Sequence, residues 1–537
     1  MRAATFYAYP PPNLMLMKTA SYLLVATLLC LEVQAAVSLP KVFAPHMVLQ
    51  REMRVPIWGT AAPGEKFEVL FRDQRKAVEA DSQGKWRILL EPLVAGGPDD
   101  LKVGDKTLSD VLVGEVWVGS GQSNMAMNVT QYAADDTALA QSADASRAGL
   151  RFFGGAGGTV WQESTPENNQ KFSALLFSFG QTLQAKLGVP VGLIVCAVGG
   201  TPSGFWLSEE MYRTDQACKE MVSRLAPAYD YEGLKQKYQT EKEKWDAAMV
   251  DWKRIEAEAK SAGRTPPRAP TAPRAVGRAG EANTGQIGSL FEALIRPVVG
   301  FGIRGVLWDQ GESKTNLACV DQYALMGALI KGWRKDWGQD FPFLYIQKPS
   351  GGGVAWDPSD PLHRKAEKFA AQPPQLPREP DPEYSHELYC RLMDYPKTYM
   401  VTSTDLGAGT HPVMKSSYGQ RAVRVALSVA YGDKAEFCGP LYASHAFDGA
   451  VARVKFSHTG KGLVARHAEQ LQGFMIAGSD RKFVWAEAKI DGESVVVSHP
   501  SVAEPAAVRY AWSAHFPWAN LFNQDGLPAQ PFRTDHW

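Results

Sequence analysis

The spacing of apolar residues changes rhythm along the chain, and each change predicts a different kind of structure. Over residues 36–110 short apolar runs at 53–58, 67–71 and 86–90 alternate with polar positions. Pro63-Gly64 and Gly96-Gly97-Pro98 punctuate them. Alternation with turn formers between runs predicts a small β module. From 111 to 434 near-continuous apolar runs at 111–118, 191–197, 303–308, 343–347 and 398–402 alternate with helical periodicity at 172–186 and 322–337. Strands apolar on both faces, separated by helices, predict an α/β domain built on a parallel sheet with helices on both faces. From 435 to 537 the period returns to that of strands, as at 450–456 and 494–498, and a second β module is expected to close the chain.

The stretch 231–274 breaks the α/β rhythm. Residues 231–260 carry seven acidic and seven basic side chains, so most of this surface is solvated. Leu234, Tyr238, Trp245, Ala248, Trp252 and Ile255 nevertheless form a heptad-like stripe, which predicts an exposed helix or half of a helical hairpin. A Pro-rich linker follows at 264–274. The segment is expected to be a solvated protrusion, a lid over substrate or a subunit contact.

At the N-terminus Lys18 precedes an apolar run at 22–31, and Val33-Gln34-Ala35 places small residues for cleavage after Ala35. These are the parts of a secretory signal over residues 1–35, and the run is much shorter than the roughly 20 residues that span a bilayer. An exported protein, periplasmic or extracellular, with no membrane span after cleavage is expected. The 57 basic and 57 acidic residues cancel, leaving no electrostatic footprint for nucleic acid. Five cysteines beyond the signal (Cys196, Cys218, Cys319, Cys390 and Cys438) show no zinc spacing and no dense disulfide framework.

Candidate chemistry collects where apolar strands end. Gly119-Ser-Gly-Gln-Ser-Asn-Met125 follows the first strand of the α/β domain. A Ser on such a strand-to-helix turn is pushed into the open, and its own N–H points where an oxyanion would form. There is no P-loop Lys and no Gly-x-Ser-x-Gly elbow, because position 125 is Met. Gly199-Gly200-Thr201 ends the next strand, and paired glycines admit close approach of a ligand to the backbone. Gln310-Gly-Glu-Ser313 ends the third: Gln310 offers amide donors and Glu312 hydrogen bonds between loops. After the last strand, residues 403–412 contain Asp405 and His411 in a Gly-rich loop. A Ser nucleophile needs a base of near-neutral pKa and a group to orient it, and this loop offers both.

In this order, Gly-Gln-Ser-Asn-Met, Gly-Gly-Thr, Gln-Gly-Glu-Ser and His-Pro before a helix, the chain resembles the sialate O-acetylesterases, SGNH-type carbohydrate esterases. Gly114-Glu-Val-Trp117, Trp333-Arg and Trp518-Ala-Asn-Leu-Phe-Asn523 extend the resemblance over nearly all of the chain after residue 35, apart from 231–274. The resemblance implies an SGNH-hydrolase-like sheet and removal of O-acetyl groups from carbohydrates through an acyl-enzyme, O-acetylated sialic acid being the leading substrate. It implies Ser123 as nucleophile and His411 as general base. The N–H of Ser123, an N–H of Gly199 or Gly200, and the side-chain amide of Gln310 would make the oxyanion hole. Gln122, Asn124 and Glu312 would support these groups, with no metal or cofactor.

The chain departs from the pattern at the carboxylate. Where SGNH hydrolases commonly place an Asp three residues before the His, position 408 is Ala; two residues before, it is Gly409. Either Asp405 turns to orient His411, or a Ser–His dyad operates, or a backbone carbonyl holds the ring. The competing functions are a carbohydrate-binding protein on an esterase scaffold and an acetylxylan-type esterase.

Overall fold

The computed structural model describes residues 37–155 and 158–537, so the expected signal segment lies outside the described residues. Six parallel strands carry the molecule: β1 (Lys106–Gly121), β2 (Arg147–Gly154), β3 (Val191–Ala197), β4 (Gly305–Asp309), β5 (Phe343–Ile346) and β6 (Thr398–Val401). They lie in the order β6-β5-β4-β1-β3-β2, with Trp161–Ser164 antiparallel on the β2 edge. The fold is α/β. Chain order reverses at β1: later strands add on one side through β4, and β2 and β3 lie on the other. Ligands in such sheets sit beyond the carboxyl ends of the strands at the reversal, and each candidate motif follows one of these ends.

Successive side chains of each strand point to opposite faces, and both faces are covered. On one face Trp117, Phe152, Leu193, Leu307, Leu344 and Val401 are buried beneath two helices, α2 (Ala174–Leu187) and α5 (Lys415–Tyr431). On the other, Val116, Val118, Ile194, Val306 and Trp308 pack against α4 (Gln322–Trp337) and the N-terminal strands. Capping signals in the sequence fix the helix ends. Ser173 and Asp321 accept the N–H groups of Leu176 and Ala324, and α2, α4 and α5 each stop at a left-handed glycine, Gly188, Gly338 and Gly432.

The strand expected over 111–118 is longer, and it runs through the expected boundary at residue 110. Its first half pairs antiparallel with Gly96–Val103 and, by Leu112–Gly114, parallel with Val48–Gln50; its second half is the centre of the parallel sheet. One strand thus serves both the N-terminal strands and the parallel sheet. Strand β2 has no counterpart in the sequence reading. Its first three residues, Arg147, Ala148 and Gly149, are all partly or fully exposed, which breaks the apolar run.

Residues 441–533 fold into antiparallel sheets with their own core, including Phe474, Tyr510, Trp518 and Phe532. They return to the parallel sheet through the loops after β5. Phe516 N–H donates to Gly352 O at 2.6 Å, and Arg509 meets Glu379 at 2.6 Å. The five cysteines among the described residues are all free thiols.

The segment over 231–274 is one helix, α3 (Tyr231–Ser261), with an extended return leg and no second helix. The indole N–H of Trp245 donates to Pro270 O at 3.0 Å and that of Trp252 to Pro267 O at 2.8 Å. The two indoles of the apolar stripe thus meet the Pro-rich segment, while Leu234, Ala248 and Ile255 stay exposed.

Candidate active site

The glycine before the Ser turn is dictated by how close β1 and β4 come at their ends. Gly121 has φ +126°, and a Cβ there would lie 2.2 Å from Asp309 O. Gln122 N–H donates to that same carbonyl at 2.9 Å. The chain then turns into the four-residue helix α1 (Ser123–Ala126), whose first residue is Ser123. Half-buried Ser123 faces exposed His411, and His411 Nε2 lies 2.9 Å from Ser123 Oγ. With Nε2 unprotonated, the hydroxyl donates to it, which is the geometry a general base requires.

Gly199 borders Ser123: a Cβ built on it would be 3.5 Å from Ser123 Cβ. Gly200, at φ +72°, turns the backbone, and Thr201 closes the turn by donating its hydroxyl to Val198 O at 2.7 Å. Residues 198–200 are exposed beside Ser123, so backbone N–H groups of this turn can meet a substrate oxygen.

Gln310 is placed differently from the expectation. It is fully buried, and its amide N–H groups donate to Lys314 O at 3.0 Å and Thr201 O at 3.4 Å. Its carbonyl accepts from Gln322 Nε2 at 2.8 Å. The amide therefore ties the β4 loop to the Gly-Gly-Thr turn, and the structure does not present it to an oxyanion. Asp405 is the second difference. The expected swing toward His411 does not occur; the carboxylate turns into the core, where Arg421 holds both oxygens at 3.1 and 2.7 Å and His363 Nε2 lies 3.0 Å away. Burial would raise its pKa, but Arg421 and His363 outweigh that and bring it down to about 2. Among the described residues no carboxylate pairs with His411.

The supporting residues converge on Asn124. Its amide nitrogen donates to Glu312 Oε1 at 3.0 Å and to Thr410 O at 2.9 Å, and its carbonyl accepts from Lys415 Nζ at 2.6 Å. One buried side chain thus joins the nucleophile turn, the β4 loop and the residue preceding His411. Gln122 adds a bond from Ser313 N–H at 3.3 Å.

Behind these lies a charge cluster absent from the sequence reading. Lys348, 1% exposed, sits 2.6 Å from Glu312 and 2.8 Å from Asp309, which it meets off the hydrogen-bonding axis. Burial disfavours the ammonium, yet the two carboxylates hold its pKa well above the ordinary lysine value. Burial raises Asp309; Glu312 is lowered because Lys348 outweighs burial. Burial brings Lys415 down to about 7, with Asp309 opposing. The available signal was a Lys directly after the apolar strand β5, where a buried strand end demands a partner for any charge.

A family model described as a carbohydrate esterase, sialic acid-specific acetylesterase, matches residues 113–248. The chain is 25% identical to the sialate O-acetylesterase of Homo sapiens over 545 residues, 90% of each chain. It is 24% identical to that of Mus musculus over 550 residues, 91% of this chain and 92% of that one. A carbohydrate acetylesterase from Xanthomonas citri has a similar structure, with TM-score 0.67 and 28% identity over 93% of this chain and 100% of that one. The protein is a carbohydrate O-acetylesterase, similar to the sialate O-acetylesterases over nine-tenths of its length. In this esterase the family-matched region begins in β1, contains the Ser123 turn and the Gly199-Gly200 turn, and ends within α3.

Proposed function

We propose that Ser123 and His411 form the catalytic dyad of a carbohydrate O-acetylesterase that works through an acyl-enzyme, with O-acetylated sialic acid as the substrate. The observation that carries this reading is the 2.9 Å contact between His411 Nε2 and Ser123 Oγ at the carboxyl end of the central strand. Ser123 Oγ attacks the acetyl carbonyl while His411 Nε2 takes its proton. The negative charge that develops on the carbonyl oxygen is met by the N–H of Ser123 and by N–H groups of Gly199 or Gly200. Collapse of the tetrahedral species expels the sugar oxygen, to which His411 returns the proton. Water, deprotonated by His411, then attacks the acetyl-Ser123 ester and releases acetate.

Asp405 stands outside this scheme. The Asn124 bond to Thr410 O anchors the backbone just before His411, so the base is positioned by its loop. Export, directed by the 1–35 segment with cleavage after Ala35, completes the reading. Sequencing the N-terminus of the protein recovered outside the cytoplasm tests it, a start at Ala36 being the expected result.

The catalytic reading is tested by acetate release from O-acetylated sialic acid and by labelling with a fluorophosphonate. Wild type is expected to release acetate and to carry one phosphonyl adduct on Ser123. Ser123→Ala and His411→Ala should lose at least about 10⁴ in kcat, leaving the residual rate that binding and oxyanion contacts supply. An unlabelled Ser123 together with full activity of Ser123→Ala would overturn the assignment.

A further inference from the structure

Beside the Ser123–His411 pair lies a groove of ≈ 770 Å³, bounded at one end by Gly200, Glu312 and Ser313 and at the other by Tyr229, Tyr238 and Arg274. Gly200 follows the glycine that faces Ser123, so the near end of the groove lies one residue from the Ser123 site. Its far wall comes from 229–276, the part of the chain that the sequence motifs left without a role.

That wall is built to hold its shape. Between Trp245 and Trp252 the helix α3 rises about 10.5 Å, and the three-residue step from Pro267 to Pro270 covers about 9.3 Å at the rise expected of a Pro-rich extended chain. The two rises match, which is why both indole N–H groups reach a carbonyl of the return leg. Continuing the same match one step toward the base sets Tyr238 level with Pro273 and Arg274. There the leg is fastened again, since Tyr229 Oη donates to Gly277 O at 3.0 Å. A Pro-rich leg loses little entropy on ordering, so Arg274 is presented on a nearly rigid support.

The charges in the groove are unequal in freedom. Lys314 is held by Glu383 at 2.6 Å and Asp381 at 3.4 Å. Glu312 is neutralised by Lys348 from behind at 2.6 Å. Asp321 is engaged in capping α4 through Ala324 N–H at 2.8 Å. Arg274 is exposed and, among the described residues, has neither a carboxylate nor a hydrogen-bond partner. Half-buried Tyr229 and Tyr238 line the same groove, and aromatic rings suit the apolar face of a sugar.

We propose that the α3 protrusion forms the far wall of the substrate groove and that Arg274 binds the carboxylate of an acidic sugar whose acetyl ester lies at Ser123. Arg274 is a specificity residue of the reaction proposed above, and the inference rests on that reading. Its guanidinium fork suits a carboxylate in two-point contact, while Tyr229 and Tyr238 hold the ring.

The test compares kcat/KM for O-acetylated sialic acid with that for its methyl ester, in wild type, Arg274→Gln and Arg274→Lys. Wild type is expected to favour the free acid. Arg274→Gln should lower the ratio of acid to methyl ester by about tenfold to a hundredfold, mainly through KM, as loss of a charge-assisted contact predicts. Arg274→Lys should recover part of it. An unchanged ratio in a folded Arg274→Gln protein would overturn the role of Arg274. If wild type hydrolyses neither these esters nor 4-nitrophenyl acetate, the esterase reading fails by itself. Calorimetric binding of unmodified sialic acid to Ser123→Ala, with and without Arg274→Gln, then decides the groove separately: binding lost with Arg274→Gln supports it, and equal binding or none refutes it.

Discussion

Replacing Asp405 by Asn separates a structural carboxylate from a catalytic one. The carboxylate is fully buried, Arg421 touches both of its oxygens, and the Arg421 side chain is itself only 3% exposed. The Asn side chain removes the negative charge and turns an NH₂ group toward a guanidinium that has only donors. Breaking a buried ion pair from one side costs about 3–5 kcal/mol. For about 500 folded residues the unfolding entropy is about 1 kcal/mol per kelvin, so Tm should fall by about 3–5 °C. Changing Arg421 to Met in the same chain should return part of that loss, because no uncompensated charge then remains. Activity at 25 °C should stay within a few-fold of wild type, whereas losing a triad carboxylate costs on the order of 10⁴ in rate. The pH dependence gives a second readout. The folded pKa of about 2 lies below the unperturbed 3.8, a difference of about 2 kcal/mol. A depressed carboxylate stabilises the fold above its unfolded pKa, so this contribution is complete above about pH 5 and is lost as pH falls from about 4 to about 2. Asp405→Asn should flatten the acid limb of a plot of stability against pH. A thousandfold fall in kcat with Tm unchanged would refute the reasoning and return Asp405 to the catalytic apparatus.

Gln310→Ala should cost about 1–3 kcal/mol in chemical denaturation, because it strips the carbonyls of Lys314 and Thr201 of a donor, with kcat reduced less than tenfold. A loss of 10²–10³ at unchanged stability would mark it as an oxyanion donor instead. Asn124→Ala removes hydrogen bonds to Glu312, Thr410 and Lys415 together, and should lower kcat by more than tenfold while KM for 4-nitrophenyl acetate changes little; a rise in KM alone would contradict its role in setting the His411 loop. Lys348→Met leaves Asp309 and Glu312 buried without their ammonium, and urea unfolding should show about 3–5 kcal/mol of lost stability. At Gly121 even Ala is excluded by the 2.2 Å approach to Asp309 O and by φ +126°, so Gly121→Ala should yield little folded protein on expression; a well-folded, active variant would show that the strand ends can separate.

Periodicity alone located the strands beginning at Val191, Phe343 and Thr398 and the helix Gln322–Trp337, since each is a local pattern of apolar spacing that tertiary context did not override. Ser123, Gly199 and His411 were legible for a related reason: a polar, Gly-bearing turn directly after a buried strand is a local signal, and a parallel sheet gathers such turns at one edge. Arg147–Gly154 escaped because its opening residues are exposed at the sheet margin, where alternation fades. The partners of buried charges were beyond reach. Asp405 lies six residues before His411, but its carboxylate is claimed by Arg421, nearly two helical turns into α5, and by His363, 42 residues upstream. Gln310 offered a free amide on paper, and packing spent it on two carbonyls and Gln322. The cluster of Asp309, Glu312, Lys348 and Asn124 with Lys415 draws on the end of β4, two loops and the helices α1 and α5, and no spacing rule connects them. The sequence by itself determined which residue types stand at the strand ends. Only the tertiary structure decided which of them face the substrate and which satisfy each other, because a buried polar group takes whichever partner the fold brings within about 3 Å, however far apart the two lie along the chain.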